Sequence, residues 1–332
     1  MSVLQGKNIL VTGATGLVGS HLVEKLLMLQ PFRIVALSRS RDSQAYFFQK
    51  GLDNKVVIAN GDLKDKERII DIVTKYEINY IFHIAAQPIV ATAYINPYET
   101  LATNIMGTIH ILEAARLSPY IKGVIVASSD KAYGKDCTSA LEDQALRGDH
   151  PYDVSKSCTD LLALTYAKTY NLPVTVSRFG NIFGPGDLNF NRIIPGIFKA
   201  AIKNEVLPLR SDGTFVRDYV YVKDVVEGYI ALAEQMDKAR GQAFNFSTGY
   251  NFSVIQLIEK LSWIIGTRVN YSIVNNQKNE IPEQSLNYTK AETVLGCKAT
   301  TTFEQAILET YGWYRRMLDA DRLWVTMEQK LT

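Results

Sequence analysis

Thr12-Gly13-Ala14-Thr15-Gly16-Leu17-Val18-Gly19 joins two segments of opposite texture. Before it, Asn8-Ile9-Leu10-Val11-Thr12 is a short apolar run. After it, Leu17, Val18, Leu22, Val23, Leu26 and Leu27 recur at helical spacing. The stretch predicts a strand, a glycine turn and a helix. Gly13 permits the tight turn, Gly16 lets backbone amides approach a pyrophosphate, and Gly19 lets the helix pack near the strand. The free N–H groups and partial positive charge of a helix N-terminus suit that anion. A dinucleotide is the expected ligand, with a purely structural glycine turn as the alternative.

The same alternation continues outward. Apolar runs at 33–37, 56–59, 80–85, 124–127 and 174–178 predict strands. Helical periodicity covers 17–29, 68–75, 97–116 and 154–170, with Leu101, Ile105, Ile109, Leu112 and Ala115 facing inward on the long third helix. Short strands alternating with helices imply an α/β fold, a doubly wound parallel sheet covered on both faces. After Asn181 the texture changes at the turn cluster Gly184-Pro185-Gly186-Asp187. Helical patches at 194–203, 222–235, 254–265 and 303–318 then alternate with shorter strands. The expected organisation is a first domain over 1–180, a smaller mixed α/β domain over 181–318, and a tail over 319–332. Some strands between about 215 and 246 are expected to return to the main sheet.

Composition sets limits. The chain has 332 residues, about two domains at roughly 150 residues each. It is 47% hydrophobic and 21% charged, which excludes a disordered chain. A net charge of +2 gives no electrostatic case for nucleic acid or a membrane surface. The uncharged stretch 78–98 carries Asn79, His83, Gln87, Pro88, Asn96 and Pro97, which argues against a bilayer span. The segment before the glycine turn does not read as a secretory signal. Cys137, Cys158 and Cys297 form no CxxC pair, so reduced thiols in a cytoplasmic protein are expected. The four histidines show no HExxH spacing, and no metal site is expected.

The second strand ends in Ser38-Arg39-Ser40-Arg41, where a carboxylate would select NAD. Hydroxyls and arginines there suit a 2′-phosphate, so NADP is favoured over NAD, unless Ser38, Arg39 and Arg41 are solvated loop residues. Asp62 either accepts from the adenine amino group or caps the following helix.

Ser128-Ser129-Asp130-Lys131 follows the strand ending at Ala127. Ligands sit at the carboxyl ends of strands in such sheets. Tyr152 and Lys156, four apart at a helix start, share one face. A free tyrosine ionises near pH 10, and a nearby ammonium is expected to favour the phenolate. That phenolate can take a proton from a substrate hydroxyl while hydride leaves the same carbon, with a serine orienting the oxygen. A Tyr-x-x-x-Lys pair alone is also an ordinary helix start; the glycine turn and the serine strand end together favour the chemical reading.

With these motifs the chain resembles the extended short-chain dehydrogenase/reductases of the nucleotide-sugar epimerase/dehydratase group. The resemblance rests on 12–19, His83-Ile84-Ala85-Ala86-Gln87, Asn104-Ile105-Met106-Gly107-Thr108, Tyr152-Asp153-Val154-Ser155-Lys156, Arg178-Phe179-Gly180-Asn181-Ile182-Phe183-Gly184-Pro185-Gly186 and Arg217-Asp218-Tyr219-Val220-Tyr221-Val222-Lys223-Asp224-Val225. It runs in order to about Leu318. It implies a Rossmann domain for NAD(P) and a C-terminal domain for a nucleotide diphospho-sugar. Gly13, Thr15, Gly16, Leu17, Val18, Ser38, Arg39, Arg41, Asp62, Leu63, Ala85, Ala86, Gln87 and Asn104 would then contact the cofactor, together with Tyr152 and Lys156. Ser129, Tyr152 and Lys156 would be the redox triad. Gln87, Ser129, Asn181, Arg192 and Arg217 would face the substrate, and arginine forks pair phosphate oxygens well. The resemblance further implies a homodimer joined through the helices at 97–116 and 154–170.

Within that group, 4,6-dehydratases commonly carry Thr-Asp-Glu at the serine position, whereas epimerases carry small or neutral residues after it. The implied dehydratase path is C4 oxidation, elimination of water across C5 and C6, and hydride return to C6, with no net redox change. Asp130 would protonate the leaving C6 hydroxyl. Lys131 stands where glutamate usually removes the C5 proton, a feature that resembles CDP-glucose 4,6-dehydratases. Lys131 is then either the base or the charge partner of Asp130. Dehydratase is the preferred expectation, C4 epimerase the alternative, and a non-catalytic dinucleotide sensor a third.

Overall fold

The computed structural model describes residues 1–135, 137–275 and 281–319. Seven strands form one parallel sheet: β1 Asn8–Thr12, β2 Arg33–Ser38, β3 Val57–Asn60, β4 Tyr80–His83, β5 Gly123–Ala127, β6 Val174–Phe179 and β7 Ala243–Phe246. Their spatial order is β7-β6-β5-β4-β1-β2-β3. Chain order therefore reverses at β1 and β4, the crevice where open α/β sheets take their ligands. Thr12 stands beside His83 there, and Ala127 beside Ser177.

The strands are buried apolar runs because helices cover both faces. Ile9 and Val11 pack with Leu22 and Leu26 of the helix Leu17–Met28 and with Val225 and Val226 of the helix Val222–Glu234. Leu10 and Val124 point the other way, toward Ile69 and Ile72 of Lys66–Lys75, Ile111 and Leu112 of Gly107–Leu117, and Ala163 of Pro151–Tyr170. This is the period-2 alternation of a strand buried on two sides.

The long third helix differs in detail from the expectation. Pro97–Leu101 and Gly107–Leu117 are α-helical, but Ala102–Met106 is a π-helical turn. A π turn inserts an extra residue and rotates the next helical residues about the axis. Asn104, Thr108 and Ile111 are therefore buried, while Leu101, Ile105 and Ile109 are only half-buried.

Between β6 and β7 the chain leaves the main sheet. Asn181–Phe183 runs parallel to Tyr219–Tyr221, and the strand Val216–Tyr221 pairs antiparallel with Asn251–Ser253. Of the strands between about 215 and 246, only β7 enters the main sheet; Val216–Tyr221 lies in this three-stranded sheet. Three helices, Ile193–Lys203, Val254–Ile265 and Phe303–Asp319, close a second core around Phe183, Phe198, Leu257, Ile307 and Tyr314. Beyond Asp319 the expected tail lies outside the described residues. Among the described residues no helix is long and apolar enough to cross a membrane.

Candidate active site

The glycine turn is shaped by close backbone approach. Gly13 has φ +70°, and a Cβ there would lie 2.8 Å from the Ala85 nitrogen. A Cβ on Gly19 would lie 2.0 Å from the Gly13 carbonyl oxygen, so no side chain fits. The helix beginning at Leu17 has Gly16 as its N-cap, no side chain capping it and no acid in its first turn. Its first amides, with Thr15, Leu17 and Val18 around them, thus remain available to an anion. Thr12 Oγ1 accepts the amides of Ile84 and Ala85 at 3.1 Å each, which fastens the loop carrying Ala85 and Ala86 beside Gly13. His83, buried, bridges the Thr12 and Thr108 hydroxyls, and burial pushes its pKa down to about 3. This cradle fits a pyrophosphate.

The end of β2 is more divided than the sequence suggests. Ser38 is buried and its hydroxyl donates to the Ser40 carbonyl at 3.0 Å, so it is turned into its own loop. Arg41 pairs with Asp53 at 3.1 Å and stacks on Phe48. Arg39 is exposed and lies 4.0 Å from Asp62 and 3.9 Å from Glu99. Asp62 does not cap the next helix: it accepts from the Lys64 amide, and Asp65 is the N-cap that accepts from the Arg68 amide. The Leu63 carbonyl accepts from His110, which closes that side.

Gln87 and Asn104 hold each other. The Gln87 amide donates to Asn104 Oδ1 at 2.7 Å, and Asn104 Nδ2 donates to the Gln87 carbonyl and to Ser155 Oγ. The Gln87 side-chain amide meets Ile89 and Thr100, so it is engaged by its own turn rather than turned outward as a substrate contact. The π turn is what aims Asn104 inward.

Ser129, Asp130 and Lys131 open a 3₁₀ turn, Asp130–Tyr133, at the end of β5. Ser129 Oγ donates to Asp130 Oδ1 at 2.8 Å and caps the turn by accepting the Lys131 amide. Asp130 is 1% exposed, and Lys131 Nζ lies 3.3 Å from its Oδ1. The second oxygen, Oδ2, is buried with no partner among the described residues. The turn is pinned from below. Arg178 makes a bidentate pair with Asp160 at 2.7 and 2.9 Å and donates to the Tyr133 hydroxyl, which donates to Asn245.

Tyr152 and Lys156 stand on the first turns of Pro151–Tyr170, both buried. Burial raises the Tyr152 pKa, and Asp130 adds to the rise; Arg192 and Ser129 oppose it. Lys156 Nζ donates to the Ala127 carbonyl at 2.8 Å, and burial pushes its pKa down to about 8. Burial is the largest influence on the Tyr152 phenol in the cofactor-free protein, and it raises the pKa.

On the far side Asn181 presents a buried Nδ2 with no partner among the described residues. Arg192 donates to Asp187 at 3.2 Å and to the Ile182 carbonyl, with its charge felt by Tyr152. Arg217 is half-buried and donates to the Val216 carbonyl. Three ionisable groups escaped the sequence reading. Asp218 is pushed up to about 7, chiefly by burial with Asp130 adding. Asp153 rises to about 6, again by burial, with Lys131 opposing. His150 caps the catalytic helix. Asp153 and Asp218 adjoin residues already singled out and His150 lies two before Tyr152, which was the only signal. The three thiols are free; Cys137, buried against the Asp130 carbonyl, is pushed up to about 12 and is inert. Among the described residues no cluster suits a metal ion.

A parallel sheet reversing at a glycine cradle, with serine, tyrosine and lysine at the neighbouring strand end, defines a class of nucleotide-cofactor enzymes. The family model described as the NAD dependent epimerase/dehydratase family matches residues 9–247, and the chain belongs to that family. It is 30% identical to the dTDP-glucose 4,6-dehydratase of Actinoplanes sp., over 96% of this chain and 99% of that one. It is 26% identical to the CDP-glucose 4,6-dehydratase of Salmonella typhimurium, over 99% and 96%. Against the trifunctional UDP-glucose 4,6-dehydratase proteins of Arabidopsis thaliana, 29% identical, it spans about half their length, 47% and 48% in two of them. Among solved structures, a UDP-glucose 4-epimerase of Thermotoga maritima with UDP-glucose superposes with a TM-score of 0.85 at 29% identity, covering 94% and 99%. A dTDP-glucose 4,6-dehydratase of Streptomyces venezuelae with NAD gives 0.84 at 26% identity, covering 93% and 97%.

Proposed function

We propose that this protein is a nucleotide-diphospho-sugar 4,6-dehydratase. The observation that carries the reading is Asp130, fully buried, hydrogen-bonded by Ser129 and paired with Lys131 at the sheet's ligand edge. An epimerase needs no such acid. The relatives named as dehydratases over the full chain length support the same conclusion.

When bound, NAD(P) would supply the hydride acceptor for C4 and the donor for C6. Gly13, Thr15, Gly16, Leu17, Val18, Arg39, Asp62, Leu63, Ala85, Ala86 and Lys156 would hold it. Tyr152 acts as base only as phenolate, a form that Lys156 and the positive charge of an oxidised nicotinamide would favour; it then takes the proton of the C4 hydroxyl, with Ser129 orienting the oxygen. Once C4 is a ketone the C5 proton is acidic. Asp130 gives its proton to the departing C6 hydroxyl, and Lys131 as free amine takes the C5 proton. One proton shared by the pair suffices. Elimination leaves Asp130 as carboxylate and Lys131 as ammonium, the pairing seen here; as hydride returns to C6 the ammonium gives a proton to C5, and the proton first taken by Tyr152 restores the pair. Asn181, Arg192 and Arg217 would bind the sugar diphosphate.

Arg39, exposed at the end of β2, supports NADP over NAD; the solved dehydratase neighbour holds NAD. Free thiols support a reducing, cytoplasmic setting. Exposed Tyr98, Met106, Leu161 and Tyr170 on the helices at 97–117 and 151–170 support a homodimer through those helices. A C4 epimerase is the second reading, favoured by the Lys131–Asp130 pair if it serves only to hold charge. Incubation with CDP-, dTDP-, GDP- and UDP-glucose separates them. A dehydratase yields a product lighter by one water that absorbs in base. An isomer of unchanged mass would establish the epimerase, and no product from any of them would refute the proposal.

A further inference from the structure

The helix that carries Tyr152 begins without the residue types that usually cap one. Pro151 occupies its first position, where a missing N–H costs nothing. The N-cap is His150, in extended conformation, and its ring Nδ1 accepts the Tyr152 amide at 3.2 Å. Ser, Thr, Asp and Asn are the ordinary caps. An imidazole can accept that N–H only when neutral, with its proton on Nε2. That atom is buried and without a partner among the described residues. The ring also packs on Tyr94, centroids 4.1 Å apart. Tyr94 belongs to the short helix Val90–Ile95, which continues from the Gln87 turn.

A second clamp holds the same backbone from the other side. Ser155 Oγ donates to the Tyr152 carbonyl at 2.7 Å and accepts from Asn104, whose Oδ1 holds the Gln87 amide. Both backbone polar groups of Tyr152 are thus tied to the segment 87–95, one through His150 and Tyr94, one through Ser155 and Asn104.

We propose that His150 is a positioning residue for Tyr152, a ring that joins the amide of the redox tyrosine to the 87–95 segment. It rests on the reading of Tyr152 as the proton-transferring phenol. The charged and titratable groups facing the ring are Asp149, itself paired with Lys135 at 2.9 Å, and the Tyr94 phenol, which also feels Lys135. Protonation would set N–H against N–H and place positive charge at a helix N-terminus, so acid opens the clamp. Burial holds the ring's pKa below its ordinary value, which keeps the clamp closed at neutral pH.

The test uses three variants of the full chain. H150N keeps an acceptor without the ring, H150F keeps the ring without the acceptor, and H150A keeps neither. Amide hydrogen exchange at Tyr152 needs no substrate. Protection is expected in wild type and H150N and should be lost about tenfold or more in H150F and H150A, since no other acceptor takes that N–H among the described residues. With a turned-over nucleotide-sugar, kcat should fall about tenfold in H150F and H150A while KM stays within about twofold, as for a misplaced catalytic group. H150N should restore kcat and remove the contribution of His150 to the acid limb of the pH profile. Equal exchange at Tyr152 in all four proteins would overturn the clamp whatever the substrate proves to be. Lost protection with unchanged kcat and pH profile would overturn its role in positioning. Absence of turnover in wild type would count against the dehydratase reading, with the exchange result still deciding the clamp.

Discussion

Replacing Lys156 with methionine should make the cofactor-free protein more stable while removing its activity. Lys156 is 5% exposed, and burial is the first cause of its lowered pKa. The fall from 10.5 to about 8, at about 1.4 kcal/mol per pH unit, puts the cost of keeping the ammonium charged in the fold at roughly 3 kcal/mol. The lost hydrogen bond from the ammonium to the Ala127 carbonyl returns about 2 kcal/mol. The variant should therefore gain about 1 kcal/mol near neutral pH, methionine filling a similar volume. Urea unfolding at pH 7 would read this as a higher midpoint with an unchanged slope. Because the folded pKa is depressed, the penalty on wild type is fully present below about 8. It is relieved as pH rises toward the unfolded lysine's value, near 10.4. The variant's advantage should thus shrink over that alkaline range. A K156M protein with a midpoint equal to or below wild type at pH 7 would refute the reasoning, because the ammonium would then carry no burial cost.

Three further outcomes are expected. Tyr152→Phe should lower turnover by about 10²- to 10⁴-fold, the range of a lost general acid–base group, while cofactor titration shows binding unchanged; near-normal rates would exclude its proton transfer. Asp130→Asn should abolish loss of water while C4 oxidation, read as reduced cofactor in a single turnover, survives; continued dehydration would exclude Asp130 as the acid. Arg39→Ala should cost NADP about tenfold or more in affinity, the size of a charged hydrogen bond, and leave NAD little changed; equal losses for both would remove the argument for a 2′-phosphate contact.

Much of this molecule was legible in its sequence because the signals are local. Period-2 and helical spacing located β1 without error, and the residues of the glycine turn, the serine strand end and the tyrosine helix meet at the edge their order implies. What escaped depends on through-space chemistry. The π turn at Ala102–Met106 leaves no periodic trace, yet it decides that Asn104 faces inward and Ile105 does not. Arg41 sits in a suggestive motif, but Asp53, twelve residues on, captures it. Tyr152 and Lys156 share a helix face, as spacing requires, yet spacing cannot weigh an ammonium's attraction against the cost of burying both groups. Burial raises the one pKa and lowers the other in the cofactor-free protein. Asp153, Asp218 and His150 were given no role for the same reason: their burial and neighbours, not their types, make them matter.

The central claim is that Asp130 and Lys131 drive elimination across C5 and C6. Running the reaction in D₂O with an unlabelled nucleotide-sugar, and locating deuterium in the product by mass spectrometry and proton NMR, tests it most directly. The expected result is a 4-keto-6-deoxy product carrying solvent deuterium at C5, with the hydrogen returned to C6 coming from C4. A product of unchanged composition, or a dehydrated one without solvent deuterium at C5, would contradict it.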